Sequence, residues 1–148
     1  MRKLIGISIL AVLLISATSS RPTSLKTDSF MDGNWELVSF YSYDGVNITD
    51  TILPVDGYRQ VKMYAHGRVM WTRHAPKDSV EWFGYGTFSA DESTLTETLE
   101  YASSKMMDIM KNHRTFTFEL DYHDDTYSQI TLDEDGNRTT SENYKRIR

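Results

Sequence analysis

The chain has 148 residues, no cysteine and a formal net charge of −5. The missing cysteine excludes disulfides, thiol nucleophiles and a lipid-bearing cysteine anchor. The acidic balance argues against nucleic acid and anionic membrane surfaces as partners, because both reward basic patches.

Met1-Arg2-Lys3, the 14-residue apolar run Leu4 to Ala17 and the small residues after it match a secretory leader, so residues 1–19 are expected to be removed and the protein to be periplasmic or secreted. The run is short of the roughly 20 residues a membrane span needs. Cleavage near Ser19 leaves 129 residues, with 14 basic side chains against 21 acidic and a net charge of −7. That is one domain's worth. Residues 20–30, which begin "SRPTSLKTDS", lack periodicity and read as a flexible lead-in. The domain is expected over residues 31–148.

Beyond the lead-in come eight strand-like runs, rich in aromatic and β-branched residues and separated by turn signals. The first, Trp35 to Tyr43, ends at Asp44-Gly45, and Val46 to Gly57 reads as a connection. Then come Tyr58 to Tyr64, Arg68 to His74, Trp82 to Ser89 and Thr94 to Ala102. "SSKMMDIMKNH" breaks the alternation and reads as a short helix or ordered loop between strands five and six. Thr115 to Tyr122, Tyr127 to Asp133 and Arg138 to Arg148 complete the set. Eight runs joined mostly by tight turns suit an all-β, up-and-down antiparallel barrel, since closure pairs both edges. The sixth run alternates cleanly, with Phe116, Phe118, Leu120 and Tyr122 on one face. In the first, Trp35, Leu37 and Tyr41 oppose Val38 and Phe40, so either its outer face is covered or a bulge shifts the phase.

"GNW" at the mouth of the first strand, the eight-strand pattern and an arginine within "ENYKRIR" resemble the lipocalins and the wider calycin group. "GNWELVSFY", "GRVMWTR", "GYGTFS" and "LTETLEYAS" are similar to runs in small exported lipocalin-like proteins of Bacteroidetes-type bacteria. The resemblance covers Gly33 to Arg148. It implies Trp35 as a plug, Gly33 as the residue that lets backbone come close, and Arg146 or Arg148 lying across the indole. Arg146 is preferred, since it shares a face with Tyr144 and Arg148 ends the chain.

A small closed barrel holds either packed side chains or one small ligand. Alternation puts Tyr41, Met63, Trp71, Arg73, Tyr85, Glu97, Leu99, Tyr101, Phe118, Leu120, Tyr122, Gln129 and Tyr144 inside. Tyrosines with two opposite charges in an apolar interior are what ligand sites use. Arg73 and Glu97 need partners if buried. Either one reaches the rim or they pair with each other, or Arg73 binds an anionic head group with tyrosine hydroxyls assisting. The expected ligand contacts are Tyr41, Met63, Trp71, Arg73, Tyr85, Glu97, Tyr101, Phe118, Tyr122 and Tyr144.

Other motifs carry less. His66, His74, His113 and His123 fit no ligand spacing, and no metal or cofactor is expected. "DEDGN" has tyrosine where a calcium loop needs its twelfth-position glutamate, so it reads as a hairpin turn. Gly84 and Gly86 in a strand relieve crowding or permit curvature. With no nucleophile elbow or phosphate loop, an enzyme is not expected. The function expected is binding of a small, partly apolar, possibly anionic molecule. The alternative is a filled barrel that engages a protein or glycan through an outer patch at Val38, Phe40 and "KMMDIM".

Overall fold

The computed structural model describes residues 30–148; the expected leader and the lead-in through Ser29 lie outside the described residues. Phe30, expected in the lead-in, belongs to the domain, because its ring packs edge-on against Tyr122 at 4.8 Å. The elements are β1 (Gly33–Gly45), β2 (Ile48–Ile52), β3 (Arg59–Ala65), β4 (Arg68–His74), β5 (Trp82–Ala90), β6 (Thr94–Ala102), α1 (Ser104–Met110), β7 (Thr115–His123), β8 (Thr126–Leu132) and β9 (Arg138–Ile147). All pairings are antiparallel, and β9 returns to pair with β1, so the sheet closes in a ring.

Nine strands form among the described residues, not eight. The extra one, β2, lies in the segment read as a connection and pairs only with the second half of β1, from Phe40↔Ile52 to Tyr43↔Ile48. The first half of β1 pairs instead with β3, from Gly33↔Tyr64 to Glu36↔Val61. β2 therefore sits outside the ring, with all five residues exposed. Its β-branched "ITDTI" has strand propensity, but without a buried face it lacks the alternation of apolar and polar residues that reveals strands.

The interior is layered. At one end Trp35, Tyr64, Val69, Phe88, Leu95, Leu120, Tyr127 and Tyr144 form a sealed apolar core. Two residues further along their strands, Lys62, Glu97 and Gln129 replace apolar side chains with buried polar ones. Toward the far end α1 packs over β5 and β6. Met106 and Met110, four apart and so on one helix face, are buried against Leu99, Trp71, Trp82 and Phe116. The methionine-rich segment therefore turns two of its methionines inward, and of the apolar residues in the expected outer patch only Val38 and Ile109 are exposed.

Two bulges and two glycines set the phase. In β1 the pairing with β9 slips between Leu37 and Ser39, leaving Val38 as the extra residue. Phe40 then packs against the core and meets Tyr58 edge-on at 6.2 Å. Tyr41, expected inside, falls on the opposite face. Gly84 and Gly86 face inward on β5, because a Cβ at Gly84 would sit 2.7 Å from the Trp71 indole and one at Gly86 would run into the Thr98 carbonyl of β6. The glycines yield interior space to Trp71 and let β5 and β6 approach, as the crowding argument anticipates.

Candidate functional site

A cavity of about 250 Å³ lies between the sealed core and α1. Trp71, Arg73, Glu97 and Phe118 line it as expected from the sequence. Tyr144 lies deeper in the core with its hydroxyl aimed at the polar layer, and Tyr122 lies at the Trp35 end. Tyr85 and Tyr101 are outside. Because the inward positions of β5 are the glycines, Tyr85 points out, and a slip opposite Glu100 pairs Tyr101 with Tyr85 and turns it outward too. Their rings meet at 5.4 Å and Tyr101 is 52% exposed. Met63 is 49% exposed, since β3 turns Gln60, Lys62 and Tyr64 inward instead. A charged and an amide side chain in those positions run against the usual pattern, which is why the β3 phase is misread from sequence.

Sequence reasoning missed Lys62, Gln60 and Glu142 as site residues. The one signal was the partner that a buried Glu97 requires. That partner is Lys62, whose Nζ donates to Glu97 Oε1 at 2.9 Å and Oε2 at 3.1 Å, and to Gln129 Oε1 at 2.7 Å. Tyr64 OH donates to Glu97 Oε1 at 2.5 Å. Beside this pair, Glu142 Oε2 accepts from Gln60 Nε2 at 3.0 Å, Gln129 Nε2 at 2.9 Å and Tyr144 OH at 2.6 Å. The two carboxylates are thus joined through Gln129 into one belt across the ring.

Arg73 does not pair with Glu97. Its guanidinium stacks over Trp82, with Cζ 4.5 Å from the ring centroid. Its Nε is buried with no hydrogen-bond partner among the described residues. The neighbouring Tyr58 hydroxyl donates to Gln60 Oε1 at 2.6 Å. Burial raises the Tyr58 phenol, and the Arg73 charge opposes that rise.

The closure expected from the resemblance is present in the geometry. Arg146 Cζ lies 4.1 Å from the Trp35 ring centroid, and Trp35 Nε1 donates to Met31 O at 2.8 Å. Gly33, at φ +139°, has a reason other than room for the indole: a Cβ there would collide with Arg146 Nη1. The four histidines are exposed. Among the described residues no three histidine, aspartate or glutamate side chains come together as a metal site. No helix among them is long and apolar enough to cross a membrane.

The belt makes a pH prediction. Tyr64, Tyr127 and Tyr144 are held well above the usual phenol value of 10.0, first by burial, and for Tyr64 and Tyr144 next by the Glu97 and Glu142 carboxylates. A folded value above the unfolded one leaves this stability complete below about pH 10 and removes it as pH rises beyond. Phenolate absorbance should therefore show these three of the nine tyrosines ionising only as the protein unfolds. Titration of all nine near pH 10 with native circular dichroism retained would mean the belt admits water.

Fold and site define a closed antiparallel sheet around a polar-belted cavity. No known protein family matches the chain, and no curated protein does. Among solved structures it is similar to the crystal structure of an uncharacterized protein from Bacteroides eggerthii, at 15% identity and a TM-score of 0.51. The match covers 79% of this chain and 99% of that one. At that identity the likeness shows the fold alone.

Proposed function

We propose that this is a non-enzymatic, exported, lipocalin-like β-barrel that binds one small, partly apolar molecule with an acidic group inside the barrel. The observation that carries the reading is Arg73: a cation on the cavity wall, stacked on Trp82, with a buried Nε that has no acceptor among the described residues. A buried donor without a partner costs about 1 to 3 kcal/mol, and a ligand carboxylate would remove that cost. Eight ring strands with β2 added outside, and the pairing of Trp35 with Arg146, support the lipocalin-like assignment. Export rests on the leader-like residues 1–19.

Size narrows the ligand. A cavity of roughly 150 Å³ holds benzene, so about 250 Å³ suits a single ring or a short branched chain better than a fatty acid or a bile acid. Arg73→Met keeps most of the stem volume and removes the charge. Calorimetry with 3-phenylpropanoate should show affinity falling tenfold or more in this variant, the worth of one charge-assisted hydrogen bond at roughly 1.5 to 3 kcal/mol. The amide, 3-phenylpropanamide, should change little. Equal loss for both probes, or no change for either, would reject Arg73 as the anchor.

A surface reading has one observation behind it. Met63, Met70, Tyr85 and Tyr101 are cross-strand partners in a row over β3 to β6, and both methionines and Tyr101 are about half exposed. If no small acid binds the parent protein, this row is where a protein partner should be sought.

A further inference from the structure

We infer that the ligand is dipolar: a small apolar α-amino acid, or a compound with the same two ends, its carboxylate on Arg73 and its ammonium on Glu142. The inference rests on the cavity-binding reading above and adds the second end. Four charged side chains line the cavity: Lys62, Arg73, Glu97 and Glu142. Two of them satisfy each other, because Lys62 spends its contacts on Glu97 and Gln129 while Glu97 accepts from Lys62 and Tyr64. The other two are left open.

Arg73 forms no salt bridge among the described residues, its charge also acting on the exposed Asp78, and its Nε has no acceptor. Glu142 is the converse. All three of its donors go to Oε2, and Oε1 receives none among the described residues. The open cation and the open carboxylate oxygen flank one side chain, Gln60. Gln60 is the cross-strand partner of Arg73, and its amide holds Glu142 at 3.0 Å. Cross-strand partners have Cβ atoms about 5 Å apart, so both ends fall within reach of one small molecule.

Charge decides between ligand classes. The four lining charges sum to zero, so a simple acid would satisfy Arg73 while adding a second negative charge beside Glu142 in a cavity of low dielectric. A simple amine would satisfy Glu142 and repel Arg73. A dipolar ligand brings the opposite charge to each open group and adds no net charge, which is selection by repulsion of the one-ended competitors as much as by attraction. Trp71, Leu99, Met106, Phe116 and Phe118 supply the apolar wall for the ligand's body.

The test uses three probes sharing one phenylethyl body: L-phenylalanine, 3-phenylpropanoate and 2-phenylethylamine, titrated calorimetrically into the parent protein at pH 7. L-phenylalanine is expected to bind at least tenfold more tightly than either one-ended probe. Glu142→Gln should erase its advantage over 3-phenylpropanoate, and Arg73→Met its advantage over 2-phenylethylamine. If 3-phenylpropanoate binds the parent protein as tightly as L-phenylalanine, the dipolar inference is wrong and the cavity reading stands. Binding of none of the three overturns both. Because the comparison on the parent protein needs no variant, a fold defect in Glu142→Gln leaves the inference decidable.

Discussion

Trp35→Ala should lower stability by about 3 to 5 kcal/mol, at the top of the range for point changes, as large-to-small aromatic substitutions in packed cores do. The indole has no exposed surface and meets Tyr127 edge-on at 4.9 Å and Tyr122 at 6.2 Å. Its Nε1 also ties down Met31, which is itself fully buried. The alanine variant would lose the ring and free the segment from Phe30 to Asp32 that seals this end. Arg146 belongs to the same unit. Besides lying on the indole, its guanidinium donates to Asp32 O at 2.6 Å and Phe30 O at 2.9 Å. Those charge-assisted bonds raise the expected cost of Arg146→Ala from the 0.5 to 2 kcal/mol of a cation–π contact alone to about 2 to 3 kcal/mol. The two changes should couple, because each removes a face the other needs. Urea unfolding of both single variants and the double variant measures it. Additivity within about 0.5 kcal/mol would mean the indole and the guanidinium do not support one another.

That closure is legible only through the resemblance, whose two marks are each local: a Gly-x-Trp triplet at the start of a strand and an arginine near the end of the last one. The phase of β7 is legible for a similar reason, since Phe116, Phe118 and Leu120 alternate with residues that water tolerates. Elsewhere the alternation is broken by the features that build the site. Val38 and Glu100 are the extra residues of two bulges, and each reverses the faces of the residues after it, so Tyr41 and Tyr101 come out on the wrong side of a strict two-residue period. On β5 the inward residues have no side chain at all, and the eye goes to Tyr85 between them. On β3 the inward residues are Gln60 and Lys62, and the hydrophobe Met63 faces water. A buried lysine cannot be told from a surface lysine by its neighbours in sequence; its carboxylate partner is 35 residues away. Glu97 reads as inward from the alternation of its own strand, but identifying its partner needs the third dimension.

The Lys62 and Glu97 pair supplies the second large effect. The two side chains are only 5% and 4% exposed, and they sit between an apolar core and a mostly apolar cavity. Lys62→Met should destabilise the protein by about 3 to 5 kcal/mol, since removing one partner leaves the other charge buried without compensation. Burial of the pair is not itself a large source of stability, because desolvation of both ions offsets most of their attraction. Neutralising both should therefore be far milder than neutralising one. In the double variant Lys62→Met with Glu97→Gln, the amide oxygen can still accept from Tyr64 OH, and the amide nitrogen can donate to Gln129 Oε1, which otherwise loses its lysine donor. The double variant is expected to recover at least about 2 kcal/mol of the loss seen in Lys62→Met alone, a coupling of the size found between residues of one buried network. Chemical denaturation of the two single variants and the double variant reads this directly. A double variant as unstable as the sum of its parts would show that lysine and glutamate contribute separately, through packing. The belt would then be a set of independent contacts, and the cancellation of its charges, on which the identity of the cavity's open groups depends, would lose its basis.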